Sequence, residues 1–207
     1  MVVIQTSQFL FDFGSPNAYL VHRAIPEVEA RAAVRFDYVP VLLGGIFKAI
    51  GNQSPMMAYG HITAKRDYDR LEMQRFMARH RIDKFKMNPH FPVNTLLIMR
   101  GAVAAERLGV AEAYNEAMFA GMWEQGLKLD LADVWHRALT EAGLPADALV
   151  GASGDDSVKQ QLVSNTASAV TRGAFGSPTF FLGQAMWFGK ERLRDVEEAA
   201  LAGADNE

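Results

Sequence analysis

The chain has 207 residues, which suits one domain or one domain with a large insertion. Its 21 basic and 24 acidic residues give a net charge of −3, so charge gives no reason to expect a nucleic acid or an anionic membrane as partner. Cysteine is absent, which excludes disulfides, zinc–thiolate sites and a protein thiol nucleophile, so any thiol chemistry must come from a bound small molecule.

The first residues, MVVIQTSQFLFDF, are apolar but lack the basic segment and small-residue cleavage site of a signal peptide. They are interpreted as a strand, and a cytoplasmic location is the default expectation. No apolar run approaches the roughly 18 residues of a membrane span. The five histidines are scattered without an H-x-H or H-E-x-x-H pattern, so no metal site is predicted.

The N-terminal third predicts a strand, a helix and a second strand. Residues 9–13 form an apolar run that Gly14, Ser15 and Pro16 end. Residues 18–32 have helical spacing, with a kink or break expected at Pro26. Residues 34–43 are rich in β-branched and aromatic residues, so the opening is predicted to be a parallel β-α-β unit.

The middle of the chain predicts a series of helices. After a loop at residues 51–55, helices are expected over 62–79, 95–108, 111–123 and 131–142, with a loop at 87–94. In the first of these, the expected inward residues are Tyr68, Leu71, Met73, Phe76 and Met77.

The C-terminal segment changes character near residue 174. Residues 175–182 predict a loop that leads into a strand, Gly183 and Gln184 a hairpin turn, and residues 185–188 a second strand. A closing helix is expected over residues 190–202. The order β-α-β, helices, β-β-α is what a thioredoxin-type fold with a helical insertion would give.

Ser15 lies at a strand-to-helix junction, with Pro16 where helices tolerate proline best. One interpretation is a simple serine N-cap. The other is that the unpaired N–H groups and the dipole of the helix start stabilise a bound thiolate, to which Ser15 donates a hydrogen bond. The two interpretations are compatible.

Ser177 and Pro178 precede an apolar strand and fit an ordinary turn. A thioredoxin-type fold would instead place a cis-proline here, beside the start of the active helix. The backbone of Ser177 would then be free to bind an extended peptide, as in the addition of a short strand.

Four sequence blocks resemble 2-hydroxychromene-2-carboxylate isomerases and the related kappa-class glutathione transferases. They occur in family order and span nearly the whole chain: Phe11-Asp-Phe-Gly-Ser-Pro16 with Tyr19-Leu20; Gly51-Asn52 with Pro55, Lys65 and Tyr68; Met122-Trp123 with Gly126 and Asp130; and Phe175 to Gly183, then Met186 to Gly189 and Arg192-Leu193.

The resemblance implies an α/β, DsbA-like thioredoxin fold with an inserted all-helical domain. Residues 1–45 and 170–207 would form the discontinuous thioredoxin-like domain, and residues 46–169 the insertion. The stretch Ser15 to Ala18 would replace the Cys-x-x-Cys of DsbA-type oxidoreductases. Dithiol–disulfide exchange by the protein itself is therefore excluded.

The resemblance also implies glutathione in the cleft between the domains, with Ser15 as the catalytic residue facing its sulfur. The implied glutathione contacts are Asn52, Lys65, Ser177, Pro178, Lys190, Glu191 and Arg192. Glu191 stands where the family often has aspartate. Walls for an aromatic substrate are expected from Phe47, Met56, Tyr68, Trp123 and Trp187, for several of which a plain core position is the alternative.

The implied activity is glutathione-dependent isomerisation of 2-hydroxychromene-2-carboxylate to trans-o-hydroxybenzylidenepyruvate in the catabolism of aromatic hydrocarbons. A kappa-class transferase or peroxidase is the nearest alternative, since the glutathione site is shared. A non-catalytic thioredoxin-like binding module is the second alternative. Family members are commonly dimers, so a homodimer is expected.

Overall fold

The computed structural model describes residues 4–32 and 34–204 of the chain. The strands in these ranges are β1 (Gln5–Phe11), β2 (Val34–Pro40), β3 (Thr179–Leu182) and β4 (Ala185–Phe188). The helices there are α1 (Pro16–Arg31), α2 (Leu43–Ile50), α3 (Pro55–Tyr59), α4 (Thr63–Arg79), α5 (Leu96–Arg107), α6 (Ala111–Trp123), α7 (Ala132–Glu141), α8 (Ala146–Ser153), α9 (Asp156–Thr171) and α10 (Leu193–Ala204). A short 3₁₀ turn, Lys190–Arg192, precedes α10.

The four described strands form one mixed sheet in the order β2-β1-β3-β4. β1 pairs with β2 in parallel, and β3 pairs antiparallel with both β1 and β4. The parallel opening and the antiparallel hairpin are as the sequence predicts. With eight helices between β2 and β3, the topology confirms a thioredoxin-type fold with a helical insertion.

The sheet separates two apolar clusters because successive side chains of a strand point to opposite faces. Phe9 and Phe11 belong to the larger cluster, which also contains the inner face of α1 and much of the helical segment. Leu10 points the other way and packs with Ile46 of α2 and Phe181 of β3. The end of β1, and with it the turn at Ser15, is therefore held from both sides.

The prediction for Pro26 is a kink or a break; α1 continues through it, so the helix does not break there, and the kink stays a prediction. The proline removes one backbone hydrogen bond from the helix interior. Val21, Ala24, Ile25 and Val28 are all buried around it, and their packing keeps the flanking turns in place.

Four helices lie where the sequence predicted no separate element. α2 begins at the last residue of the predicted second strand and continues beyond it, and α3 begins at the end of the expected loop; α8 and α9 occupy the stretch before the C-terminal strands. Gly44 and Gly45 lower the helix propensity of α2, so its apolar residues resemble the continuation of a strand. Burial of Ile46 against the sheet overrides that local preference.

Helix α4 is the least buried of the long helices. Of its residues only Phe76 is buried, while Met73 and Met77 are partly buried. The predicted inward positions Tyr68 and Leu71 are wrong, since they are 57% and 41% exposed. Only a narrow strip of α4 packs against the rest of the protein. Helical periodicity therefore predicts more buried residues on this helix than the fold contains.

The predicted domain limits, 1–45 with 170–207 and 46–169, fall inside α2 and α9. Both helices pack against the sheet through the smaller cluster. The division therefore stays a prediction. Within the described ranges, none of the helices has the length and apolarity needed to cross a bilayer.

Candidate active site

Ser15 is the N-cap of α1 and is buried, with only 4% of its surface exposed. Its hydroxyl oxygen accepts the backbone N–H of Ala18 at 3.2 Å. The same hydroxyl donates to the carbonyl oxygen of Ser177 at 2.9 Å. The N-cap interpretation is confirmed, and the Ser15 hydroxyl also connects the two predicted halves of the site.

Asp12 fixes the turn that carries Ser15. Its carboxylate accepts the N–H of Gly14 at 2.8 Å and the N–H of Leu43 at 2.7 Å, and its carbonyl accepts the N–H of Ser15 at 3.0 Å. Burial raises the pKa of Asp12 above its usual range, while these backbone bonds and the Thr95 hydroxyl oppose that rise. One buried side chain thus ties the starts of α1 and α2 together.

The Ser177–Pro178 peptide bond is cis, as predicted. The hydroxyl of Ser177 donates to the carbonyl of Leu10 at 3.2 Å, which fixes the loop against β1. Its carbonyl is occupied by Ser15, and its backbone N–H has no hydrogen bond within the described part of the chain. Ser177 is only 8% exposed, and a buried backbone N–H is stabilised by an acceptor, so this donor is available to a ligand.

The Lys190–Arg192 turn is brought to the same place by Gly189, whose N–H donates to the Pro178 carbonyl at 3.0 Å. Lys190 is 4% exposed, pairs with Glu191 and lies 5.9 Å from the ring centre of Phe76 in α4. The carboxylate of Glu191 stays half exposed. Lys190 and Glu191 therefore offer one cation and one anion beside the cis-proline.

Arg192 and Lys65 are engaged elsewhere. Arg192 pairs with Asp195 at 2.9 Å on its own helical segment. Lys65 pairs with Asp69 at 3.2 Å and lies over the ring of Tyr59. Neither side chain contacts Ser15 or Ser177, so their predicted roles stay predictions.

Asn52 follows the end of α2 and reaches the loop before Ser177. Its amide nitrogen donates to the Phe175 carbonyl at 3.2 Å, and its amide oxygen accepts the N–H of Gln53 at 2.8 Å. The structure thus brings Asn52 to the loop of the cis-proline, at an exposed position.

The five predicted substrate walls occupy different environments. Met56 and Tyr68 are exposed on α3 and α4, whereas Phe47 and Trp187 are half-buried. Trp123 is fully buried, and its indole N–H donates to the Phe13 carbonyl at 2.8 Å. This position favours the alternative that Trp123 is a core residue. Through its bond to Phe13, Trp123 stabilises the turn before Ser15.

The electrostatics of the helix start favour an anion beside Ser15. The first turn of α1 contains no acidic residue, so its partial positive charge is not offset on the helix itself. The N–H of Ser177, unpaired among the described residues, adds a hydrogen-bond donor next to this helix start. Among the residues that the structure describes, no group of three or more histidines and carboxylates is arranged to hold a metal ion.

Asp12 is the residue at this site that sequence reasoning missed. The only signal for it is a carboxylate between two phenylalanines at the end of an apolar strand. Such a position predicts burial, and a buried carboxylate requires several donors. Leu43, one of those donors, lies 31 residues further along the chain.

Comparison with known proteins shows that this chain is similar to two kinds of enzyme. Residues 7–200 match the family described as DSBA-like thioredoxin domain. The 2-hydroxychromene-2-carboxylate isomerase of Pseudomonas sp. (strain C18) is 29% identical over 193 residues, which cover 92% of this chain and 88% of that protein.

Two further comparisons agree with that result. A solved structure of 2-hydroxychromene-2-carboxylate isomerase superposes with a TM-score of 0.81 at 25% identity, covering 98% of this chain and 99% of the other. Glutathione S-transferase kappa 1 of Rattus norvegicus is 26% identical over 181 residues, 83% of this chain and 78% of that protein.

Proposed function

Because the chain belongs to the DSBA-like thioredoxin domain family yet contains no cysteine, we propose that it is a glutathione-dependent isomerase of 2-hydroxychromene-2-carboxylate. The observation that carries the proposal is the contact between Ser15, at the start of α1, and Ser177, before the cis-proline. This arrangement would stabilise a thiolate that the protein itself does not have. The likeness to named isomerases supports the choice of reaction.

In this proposal glutathione lies along the cluster of Ser15, Ser177 and Lys190. The backbone of Ser177 pairs with the cysteinyl residue of the peptide. Lys190 and Glu191 hold the carboxylate and the ammonium of the γ-glutamyl end, with Arg192 beside them. Asn52 and Lys65 hold the glycyl end.

When bound, glutathione would supply a thiolate for reversible addition to the conjugated double bond of the substrate, which would permit ring opening and rotation before the thiol is recovered unchanged. The start of α1 holds the negative charge on sulfur before the addition. The Ser15 hydroxyl donates a hydrogen bond to that sulfur and orients it. The substrate stacks against apolar walls for which Phe47, Met56, Tyr68 and Trp187 stay the candidates.

The size of the required pKa shift is within reach of these groups. A free cysteine thiol has a pKa of about 8.5, and a shift of one unit corresponds to ~1.36 kcal/mol. A helix start contributes roughly 0.3–1 kcal/mol when exposed and up to ~2 kcal/mol when partly buried. Together with the Ser15 hydrogen bond, a lowering of the thiol pKa by about one to two units is expected.

The first test is isothermal titration with reduced glutathione, on the unchanged protein and on Ser15→Ala. We expect saturable binding by both, with similar affinity, and turnover reduced about 10-fold or more in the variant because the thiolate loses a charge-assisted hydrogen bond. Ser7→Ala is the matched control, since its buried hydroxyl also donates to a backbone carbonyl, that of Phe181 at 3.3 Å. No binding of glutathione at several millimolar would leave the non-catalytic module as the better reading.

A kappa-class transferase is the second candidate, because the rat transferase matches most of the chain. The two activities differ in the fate of the thiol. An isomerase leaves the total free thiol constant while the chromene is converted, whereas a transferase consumes one thiol for each product. Titration of free thiol during turnover therefore separates them.

We also propose a homodimer. Exposed apolar side chains on α3 and α4, among them Met57 and Leu71, are compatible with contact to a second copy. Light scattering coupled to gel filtration tests this, and a monomer at micromolar concentration would contradict it.

A further inference from the structure

The hydroxyl proton of Ser15 is already in use in the free protein. It donates to the Ser177 carbonyl at 2.9 Å, while the oxygen accepts from Ala18 at 3.2 Å. A serine hydroxyl has a single proton to donate. To donate to a thiolate, the Ser15 hydroxyl must therefore leave the Ser177 carbonyl.

Leaving that carbonyl has a cost in this environment. Ser177 is 8% exposed and Ser15 is 4% exposed, so water has little access to the oxygen that is released. A buried carbonyl without a donor loses free energy of the same order as a hydrogen bond to a charged acceptor gains. For a thiol without other polar groups, the exchange would give little net stabilisation of the thiolate.

Ser177 also offers the means to avoid that cost. Its N–H has no partner among residues 4–32 and 34–204, and its carbonyl lies on the same residue. One residue of an extended peptide can exchange two hydrogen bonds with such a residue, as in an antiparallel pair. The N–H of the ligand then replaces the Ser15 hydroxyl on the carbonyl, and no group is left unpaired.

We propose that Ser15 is released to the sulfur only by a ligand whose cysteinyl N–H takes its place on the Ser177 carbonyl. The site thus gives the Ser15 hydrogen bond only to thiols that are part of a peptide backbone, and a simple thiol is stabilised by the start of α1 alone. The inference rests on the proposed function, because it concerns how that glutathione site selects its thiol. No covalent bond changes in the step: one hydroxyl exchanges acceptors.

The test compares three thiols: glutathione, ethanethiol, and the glutathione analogue in which an ester oxygen replaces the cysteinyl N–H. For each, the rate of chromene isomerisation by the thiol-bound protein, extrapolated to saturating thiol, is measured with the unchanged protein and with Ser15→Ala. The bound states are compared because free Ser15→Ala already has an unpaired Ser177 carbonyl, which a second-order rate constant would include. Ser7→Ala again controls for the loss of a buried serine hydroxyl.

We expect the ratio of unchanged protein to Ser15→Ala to be about 10 or more with glutathione and close to one with the other two thiols. The pKa of bound glutathione, followed by the ultraviolet absorbance of its thiolate, should rise by about one unit in Ser15→Ala, equal to a tenfold loss of thiolate near neutral pH. A ratio as large with the ester analogue as with glutathione would overturn the inference and leave the proposed function intact. Failure of glutathione to bind the unchanged protein would overturn both.

Discussion

Asp12 shows how a single buried side chain can set the geometry of the site. It is 1% exposed, and its two carboxylate oxygens accept N–H groups from segments that are far apart in sequence. Leu43 opens α2, and Gly14 lies just before α1. A carboxylate near two helix starts is placed where their partial positive charges favour it.

Replacing Asp12 with alanine should lower the free energy of unfolding by roughly 2–4 kcal/mol, because two buried N–H groups lose their acceptor. Urea denaturation measures the change. Asp37→Ala is the matched control, since the side chain of Asp37 is exposed and has no hydrogen bond or ion pair among the described residues. A loss no larger than that of the control would show that the free-energy cost of burying the Asp12 carboxyl, which also raises its pKa, cancels the stabilisation from its hydrogen bonds.

At the scale of single residues, the sequence predicts that Ser15 caps α1, but it does not predict that Asp12 fixes the turn before Ser15. Ser15 followed by Pro16 is a local signal, and the structure confirms the N-cap. The N–H groups that hold Asp12 can be identified only when the fold brings Leu43 and Gly14 to it. Residue types show that a buried carboxylate needs donors; they do not show which ones.

The chain adopts a left-handed backbone conformation just after the end of α4. The N–H of Ile82 donates to the Met77 carbonyl at 2.9 Å, which closes a Schellman motif after the last helical residue, Arg79. Arg81 occupies the left-handed position of this motif with φ of 53°. Glycine usually stands there, because a side chain makes this conformation costly.

Arg81→Gly should therefore stabilise the protein by about 1 kcal/mol, since the left-handed conformation costs an L-residue roughly that much. Arg79→Gly, on the same helix end but within α4, should destabilise it by about 1 kcal/mol. Urea midpoints of the two variants measure both effects. Equal losses in the two variants would mean that the Arg81 side chain contributes contacts that outweigh its backbone strain.

A charged network joins α1 to α6. Glu116 of α6 accepts from His22 at 3.1 Å and from Arg23 at 2.8 Å, and Arg23 also pairs with Glu124. The hydrogen bond from His22, followed by the hydrogen bond and the charge of Arg23, lowers the pKa of Glu116 to about 2. Burial lowers the pKa of His22, and its bond to Glu116 opposes that change.

The lowered pKa of Glu116 gives a stability contribution with a defined pH range. It is fully present above the ordinary value of 4.5 and is lost as pH falls toward about 2. We expect the unchanged protein to exceed Glu116→Gln in urea midpoint at pH 6, with the difference shrinking as pH is lowered below 4.5. Glu112→Gln, exposed on the same helix and without an ion pair in the described structure, should show no such trend.

Elements with strong local signals were predictable. The bounds of α6 and β4 agree with the predicted 111–123 and 185–188. Two kinds of element were not predictable: α2, whose glycines weaken its helical signal, and the continuation of α1 through Pro26. In both cases burial against the sheet or the core outweighs the local preference.

For the molecule as a whole, the site is assembled from segments that local patterns cannot connect. Ser15 and Ser177 are 162 residues apart, and one hydrogen bond joins them. Gly189 adds a third segment through its bond to Pro178. Periodicity predicts an α/β chain, and the four family blocks were needed to predict that these segments meet.

The absence of cysteine from the whole chain permits a direct test of where the glutathione sulfur lies. In Ser15→Cys, the new thiol stands at the start of α1, where its pKa should be lowered. With oxidised glutathione, its thiolate should attack one sulfur, form a mixed disulfide and release one reduced glutathione. Because the chain has no second cysteine to resolve it, the mixed disulfide should persist and appear in the mass spectrum as one glutathionyl group.

Ser54→Cys is the matched control, because Ser54 also caps a helix and is followed by a proline, at a more accessible position. If the pocket around Ser15 binds glutathione, Ser15→Cys should be modified faster than Ser54→Cys despite its greater burial, and saturation with oxidised glutathione should be seen only at Ser15. If the solvent exposure of the new thiol alone determines its rate of modification, Ser54→Cys should react faster. That order of rates would argue against a glutathione sulfur at Ser15.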